Sequence, residues 1–124
     1  MSFDTPAAGI RVLLVEDELI VAVLVESLLD SIGCIVAATA ASIAQAIAAI
    51  ETHEFDVAMI DVNLGGEDGL VVADLLKARE IPYLITTGYD ALDGAQGHAD
   101  APMLAKPYAI TELENTLCRV TGRL

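Results

Sequence analysis

Short β-branched or leucine-rich runs alternate along the chain with longer stretches whose apolar residues recur at three- and four-residue steps. That alternation predicts a parallel sheet whose strands are joined by crossover helices. Arg11–Val15 reads as the first strand. Leu19–Ile32 reads as a helix through Val21, Leu24, Val25, Leu28, Leu29 and Ile32, and Gly33 supplies its stop. Cys34–Ala38 is the second strand, and Ser42 is the N-cap of a second helix with Ile43, Ile47 and Ile50 in one stripe. Asp56–Ile60 is the third strand, Gly69–Ala78 the third helix, Tyr83–Thr86 the fourth strand behind Pro82, and Met103–Ala105 a short fifth strand. The last helix starts near Thr111, a good N-cap, with Leu113, Leu117 and Val120 on its buried side. Between Thr87 and Pro102, Gly88, Gly94, Gly97 and intervening aspartates break any longer apolar stripe, so a short or mobile fourth helix is expected there.

Length narrows the organisation further. A chain of 124 residues suits one core, placed over 10–124 behind a flexible tail at 1–9. With 55% apolar residues and 20% charged, it should fold rather than stay disordered. Six Lys and Arg against nineteen Asp and Glu give a net charge of −13, which disfavours nucleic acid and anionic lipid as direct partners. Mean hydropathy is high, at +0.59, yet Glu26, Asp30, Gln45 and Glu51 interrupt every apolar run, so no membrane span is expected. Met1–Gly9 has no basic start, so no secretory signal is expected. Cys34 and Cys118 lack metal-ligand spacing and read as buried thiols in a reducing cytoplasm.

The polar residues with chemical potential fall where strands end. Glu16 and Asp17 follow the first strand, Asp61 the third, Thr87 the fourth, and Lys106 the fifth, directly before Pro107. In open α/β sheets that edge is where ligands bind. Carboxylates gathered there repel one another unless a cation compensates, and oxygen donors without histidine or thiol favour Mg²⁺. Beside such an ion Asp61 can act as a nucleophile toward a phosphoryl group, with Lys106 balancing charge and Thr87 supplying a hydroxyl.

The ordered set Val12–Glu18 (VLLVEDE), Asp61–Gly69 (DVNLGGEDG), Thr87-Gly88 and Lys106-Pro107 resembles the receiver domain of two-component response regulators over nearly the whole chain. The resemblance implies a flavodoxin-like, doubly wound α/β/α fold with five parallel strands in the order 2-1-3-4-5. It implies Asp61 as phosphoacceptor, Asp17 as a direct Mg²⁺ ligand with Glu16 acting through water, and the Asn63 carbonyl as a further ligand. Lys106 would pair with the phosphoryl group, Thr87 would move to it, and Lys106-Pro107 would be a cis peptide. Where many receivers carry an aromatic switch on the fifth strand, Met103 stands here. Pro82–Tyr89 (PYLITTGY) is instead similar to the subgroup known by the motif Phe-Ala-Thr-Gly-Guy, which makes Tyr89 the candidate switch aromatic.

The implied function is a cytoplasmic signalling switch, not a turnover enzyme: self-catalysed phosphoryl acceptance and autodephosphorylation only. A sensor histidine kinase or histidine phosphotransfer protein would be the donor. A downstream protein would meet the fourth helix, fifth strand and fifth helix, or the chain would serve as a phosphate sink; it would be a monomer or weak homodimer. Three rivals remain. An Mg²⁺-dependent phosphatase with an Asp61 nucleophile would want a second aspartate where Asn63 stands. A flavodoxin-like cofactor binder would want a phosphate loop where Glu16-Asp17-Glu18 stands. A degenerate receiver would serve only for docking. Glu18 reads as a helix cap, and His53 and His98 as surface residues without a catalytic role.

Overall fold

The computed structural model describes residues 5–88 and 101–123. Along the chain, β1 (Arg11–Val15) leads to α1 (Leu19–Ser31), β2 (Ile35–Ala40), α2 (Ile43–Thr52) and β3 (Val57–Asp61). A small hairpin of β4 (Asn63–Leu64) and β5 (Glu67–Asp68) precedes α3 (Leu70–Ala78), β6 (Tyr83–Thr87), β7 (Met103–Ala105) and α4 (Ile110–Val120). The five main strands are parallel in the order β2-β1-β3-β6-β7. With the antiparallel hairpin counted apart, this is the expected order 2-1-3-4-5. The expected fourth helix lies outside the described residues, so the helix expected as the fifth is α4.

Alternation along the strands divides the core into two layers. Val12 and Leu14 join Val57, Met59 and Leu84 under Ala22, Val25 and Leu29 of α1 and Leu113, Leu117 and Cys118 of α4. Leu13 and Val15 join Ala58 and Ile60 on the other face, under Ala46, Ala49 and Ile50 of α2 and Val72 and Leu76 of α3. A sheet covered on both faces explains why β3 is buried along its whole length.

The helix stripes differ in detail from their apolar spacing. Val25, Leu29 and Ile50 are buried as their spacing implies, but Leu24 is 59% exposed and Ile47 39%, and the small Ala22, Ala46 and Ala49 complete the buried face. Spacing alone registered the large side chains and overlooked the alanines on the inner face.

Local chemistry sets the ends. Ser42 caps α2 as expected, its hydroxyl accepting from Gln45 N at 3.1 Å while Gln45 Oε1 accepts from Ala41 N. Thr111 does not cap the last helix; Ala109 does, because Glu112 Oε1 reaches back to Ala109 N at 3.1 Å and sets the start two residues earlier. Glu18 makes no side-chain cap on α1; its N–H is taken by Glu16 Oε2 at 3.2 Å. α1 stops where expected, with Gly33 at φ 83° and Cys34 N bonded back to Leu29 O. The second strand begins one residue later than Cys34, and the third and fourth each run one residue further, to Asp61 and Thr87.

Of the tail expected over 1–9, residues 1–4 lie outside the described residues, and residues 5–9 are held against the core. Ala7 is fully buried, the Thr5 hydroxyl donates to Ile32 O, and Arg123 Nη1 donates to Ala8 O at 2.6 Å. Cys34 and Cys118 are free thiols buried in this layer. Burial, reinforced by Cys118, pushes the Cys34 thiol up to about 11, so it stays protonated at neutral pH.

α3 also closes with a left-handed residue, Glu80 at φ 57°, and Ile81 N returns to Leu76 O. A side chain in that conformation carries strain that glycine lacks. Glu80→Gly should therefore add about 0.5–1 kcal/mol of stability, net of the extra unfolded-state entropy, and so raise the urea midpoint. A lower midpoint would contradict this account of the turn.

Candidate functional site

Strand register assembles the site. Val15 lies opposite Ile60, so the residues just beyond β1, Glu16 and Asp17, adjoin Asp61 at the end of β3. Asp61 lies opposite Thr86, and Thr87 opposite Ala105, which sets Lys106 at the same edge. One oxygen from each of Glu16, Asp17 and Asp61 falls within 4.8 Å of the others. At that spacing each pair of like charges repels by on the order of 1–3 kcal/mol between fully hydrated and protein-like surroundings.

Lys106 answers part of that repulsion. Its Nζ donates to Glu16 Oε1 at 2.7 Å and to Asp61 Oδ2 at 3.0 Å. Glu16 and Asp61 are almost fully buried, whereas the lysine side chain keeps 22% of its exposure. Burial holds the Glu16 carboxyl above its usual range; the Lys106 bond opposes this and the Asp61 charge adds to it. Burial alone would lower Lys106, but its bonds to Glu16 and Asp61 outweigh that and hold the ammonium above its ordinary range.

The remaining acceptors are tied to backbone. Asp61 Oδ1 accepts from Asn63 N at 3.1 Å, and Asn63 Oδ1 accepts from Gly66 N at 3.1 Å. The turn between β4 and β5 has Gly65 at φ 59° and Gly66 at φ 89°, both in the left-handed region that a two-residue hairpin of this hand requires. A Cβ on Gly65 would sit 3.7 Å from Asp17 Oδ2, so the hairpin tip lies against the carboxylates. This hairpin was not foreseen; the Gly65-Gly66 pair was its signal.

Thr86 and Thr87 are both buried, and they differ in their hydroxyls. Thr86 Oγ1 donates to Ile60 O at 3.5 Å, whereas Thr87 Oγ1 has no hydrogen-bond partner among the described residues. Lys106-Pro107 is cis. Tyr108, which the motif reading passed over although it directly follows this pair, packs against the α1–α4 layer. Its phenol is raised by burial, with the Glu16 and Asp61 charges adding to the shift. Tyr89 and His98 lie outside the described residues. His53 is exposed, with Nδ1 3.0 Å from Thr52 Oγ1.

Three carboxylates with no nitrogen or sulfur donor form a hard site, the donor set that suits Mg²⁺. Residues 12–117 match the response regulator receiver domain. The chain is 34% identical over 112 residues to the transcriptional regulatory protein TcrA of Mycobacterium tuberculosis, covering 86% of this chain and 44% of that protein. It thus spans about half or less of the length of the curated relatives it matches first. Among solved structures, SdrG from Sphingomonas melonis Fr1 is 32% identical with a TM-score of 0.74, covering 93% of this chain and 95% of that one. The receiver domain of a sensor histidine kinase from Pseudomonas aeruginosa, solved with a magnesium ion coordinated in its active site cleft, is 31% identical. Its TM-score is 0.79, with 93% of this chain and 99% of that one covered.

This chain therefore belongs to the response regulator receiver domain family, a family of signalling domains phosphorylated on aspartate. Among the described residues, no helix is long and apolar enough to cross a membrane.

Relieving the crowding should be visible without any metal. Asp17→Asn is expected to raise the metal-free melting temperature by roughly 3–6 °C, corresponding to about 1 kcal/mol of lost repulsion. The same change should remove the further stabilisation that millimolar MgCl₂ gives the wild type. Thermal melts with and without MgCl₂ check both. A lower metal-free melting temperature would mean that Asp17 is not under repulsion.

Proposed function

We propose that the chain is a phosphorylation-dependent switch whose acceptor is Asp61. The observation that carries this reading is the Lys106 ammonium bridging Glu16 and Asp61 beside Asp17. A phosphohistidine on a sensor kinase or phosphotransfer protein is the donor. An Asp61 oxygen attacks phosphorus, the O–P bond forms as the N–P bond breaks, and the bonding pair leaves with the imidazole. The acceptor is polarised by Asn63 N on Oδ1 and stays next to a positive charge throughout. Since phosphoryl transfer is mostly positioning and charge stabilisation, these fixed groups are the catalytic apparatus.

Glu16, Asp17, Asp61 and the Asn63 carbonyl are the groups that would hold Mg²⁺, which supplies positive charge against the phosphoryl oxygens. The new group brings about −1.5 to −2 charges. Lys106 then shares its protons with the phosphoryl oxygens, and the unpartnered Thr87 hydroxyl becomes a donor to them. Because Lys106 N is bonded to Thr87 O at 2.7 Å, movement at Thr87 is felt directly by β7. The signal leaves by protein contact over β7, α4 and the segment between Thr87 and Pro102 where a helix is expected from the sequence, or the chain drains a kinase as a phosphate sink. In this reading the protein acts in the cytoplasm, with Tyr89 as its switch aromatic.

Incubation with acetyl phosphate and Mg²⁺ should add one phosphoryl group, read by intact mass. Asp61→Asn should add none, and undiminished modification of that variant would refute Asp61 as acceptor.

A further inference from the structure

We infer that Gly69 is a positioning residue for Asp61, its missing side chain allowing the chain to close back on the acceptor's own carbonyl. The inference rests on Asp61 being the phosphoacceptor.

After Asp61 the chain leaves the sheet, turns through the β4–β5 hairpin, and returns at Gly69. The return is closed by Gly69 N donating to Val62 O at 2.7 Å, a bond across the base of the hairpin. Val62 N is in turn held by Thr86 O at 3.2 Å, so the base is tied to the sheet. A Cβ built on Gly69 would lie 1.9 Å from Asp61 O, 3.0 Å from Asp61 C and 3.0 Å from Val62 O. No side-chain carbon fits at 1.9 Å, and the atoms it meets are backbone, which cannot swing aside as a side-chain tip can.

Gly69 has φ −62° and ψ −17°, ordinary helical values, so the demand for glycine here is one of contact and not of backbone conformation. That separates it from Gly65 and Gly66, where the turn itself needs positive φ. The helix start is fixed from the other side as well, since Asp68 Oδ1 accepts from Leu70 N at 2.9 Å. Any added atom must therefore displace either the start of α3 or the Asp61–Val62 peptides. The Asp61 carboxylate and the Asn63 N–H that donates to its Oδ1 are carried by those peptides, so displacement reaches the acceptor and its neighbour before it reaches the core.

Gly69→Ala tests this, compared with wild type by circular dichroism, by Mg²⁺ titration followed through amide shifts, and by the rate of modification with acetyl phosphate. The expected variant keeps its cooperative melt but binds Mg²⁺ and takes up phosphoryl at least about tenfold less well, as a sub-ångström to 1 Å misplacement allows. Unchanged Mg²⁺ affinity and rate would overturn the inference, as would a variant with no cooperative melt, which would make Gly69 a residue of the fold at large.

A second pair of variants loosens the same joint without adding atoms. Asp68→Ala removes the acceptor for Leu70 N, whereas Asp68→Asn removes the charge and retains an acceptor oxygen. The alanine variant should react about threefold more slowly than the asparagine one, and equal rates would count against the inference. A wild type that takes no phosphoryl group at all would instead sink the reading of Asp61 as acceptor.

Discussion

One ammonium group set between two buried carboxylates makes the carboxyl edge of this sheet possible. Glu16 and Asp61 sit where solvent cannot screen them, and Asp17 adds a third negative group within 4.8 Å. An isolated buried charge neutralises or drives the structure apart. Here Lys106, arriving ninety residues after Glu16, reaches both at hydrogen-bond distance. The strand order brings these groups together, since β1 and β3 are neighbours and β7 lies beyond β6. The compensation is incomplete, one cation among three anions, and the residual negative charge is what a divalent cation would offset under the proposed function.

Much of this was legible in the chain because it is encoded by order and local pattern. The strands are near-continuous apolar runs covered on both sides, and their polar successors Glu16, Asp61, Thr87 and Lys106 mark one edge whichever exact residue ends each strand. Ser42 and Gly33 announced their cap and stop through side-chain and backbone chemistry that acts within a few residues.

What was missed depends on contacts that linear pattern does not contain. Leu24 and Ile47 fit a helical stripe but are exposed, because Ala22, Ala46 and Ala49 share the inner faces with Val25, Leu29 and Ile50. Glu112 outcompeted Thr111 for the helix start by reaching back to Ala109. Glu80 adopts a glycine-like conformation with nothing in its identity to suggest it. The hairpin after Asp61 is too short for a strand pattern, and its role follows only from seeing Gly65 against Asp17. Thr87 was named from its pairing with Gly88, whereas the contrast between its unpartnered hydroxyl and that of Thr86 is visible only in the structure.

The most direct measurement is an amide NMR titration of the wild type, first with Mg²⁺ and then with beryllofluoride, a phosphoryl mimic. The account predicts saturable Mg²⁺ shifts centred on Glu16–Glu18, Asp61–Asn63 and Lys106, followed by a second set on beryllofluoride that includes Thr87 and runs into β7 and α4. Absence of a saturable Mg²⁺ response, or shifts gathered at the opposite end of the sheet around Arg11 and Asp56, would contradict it.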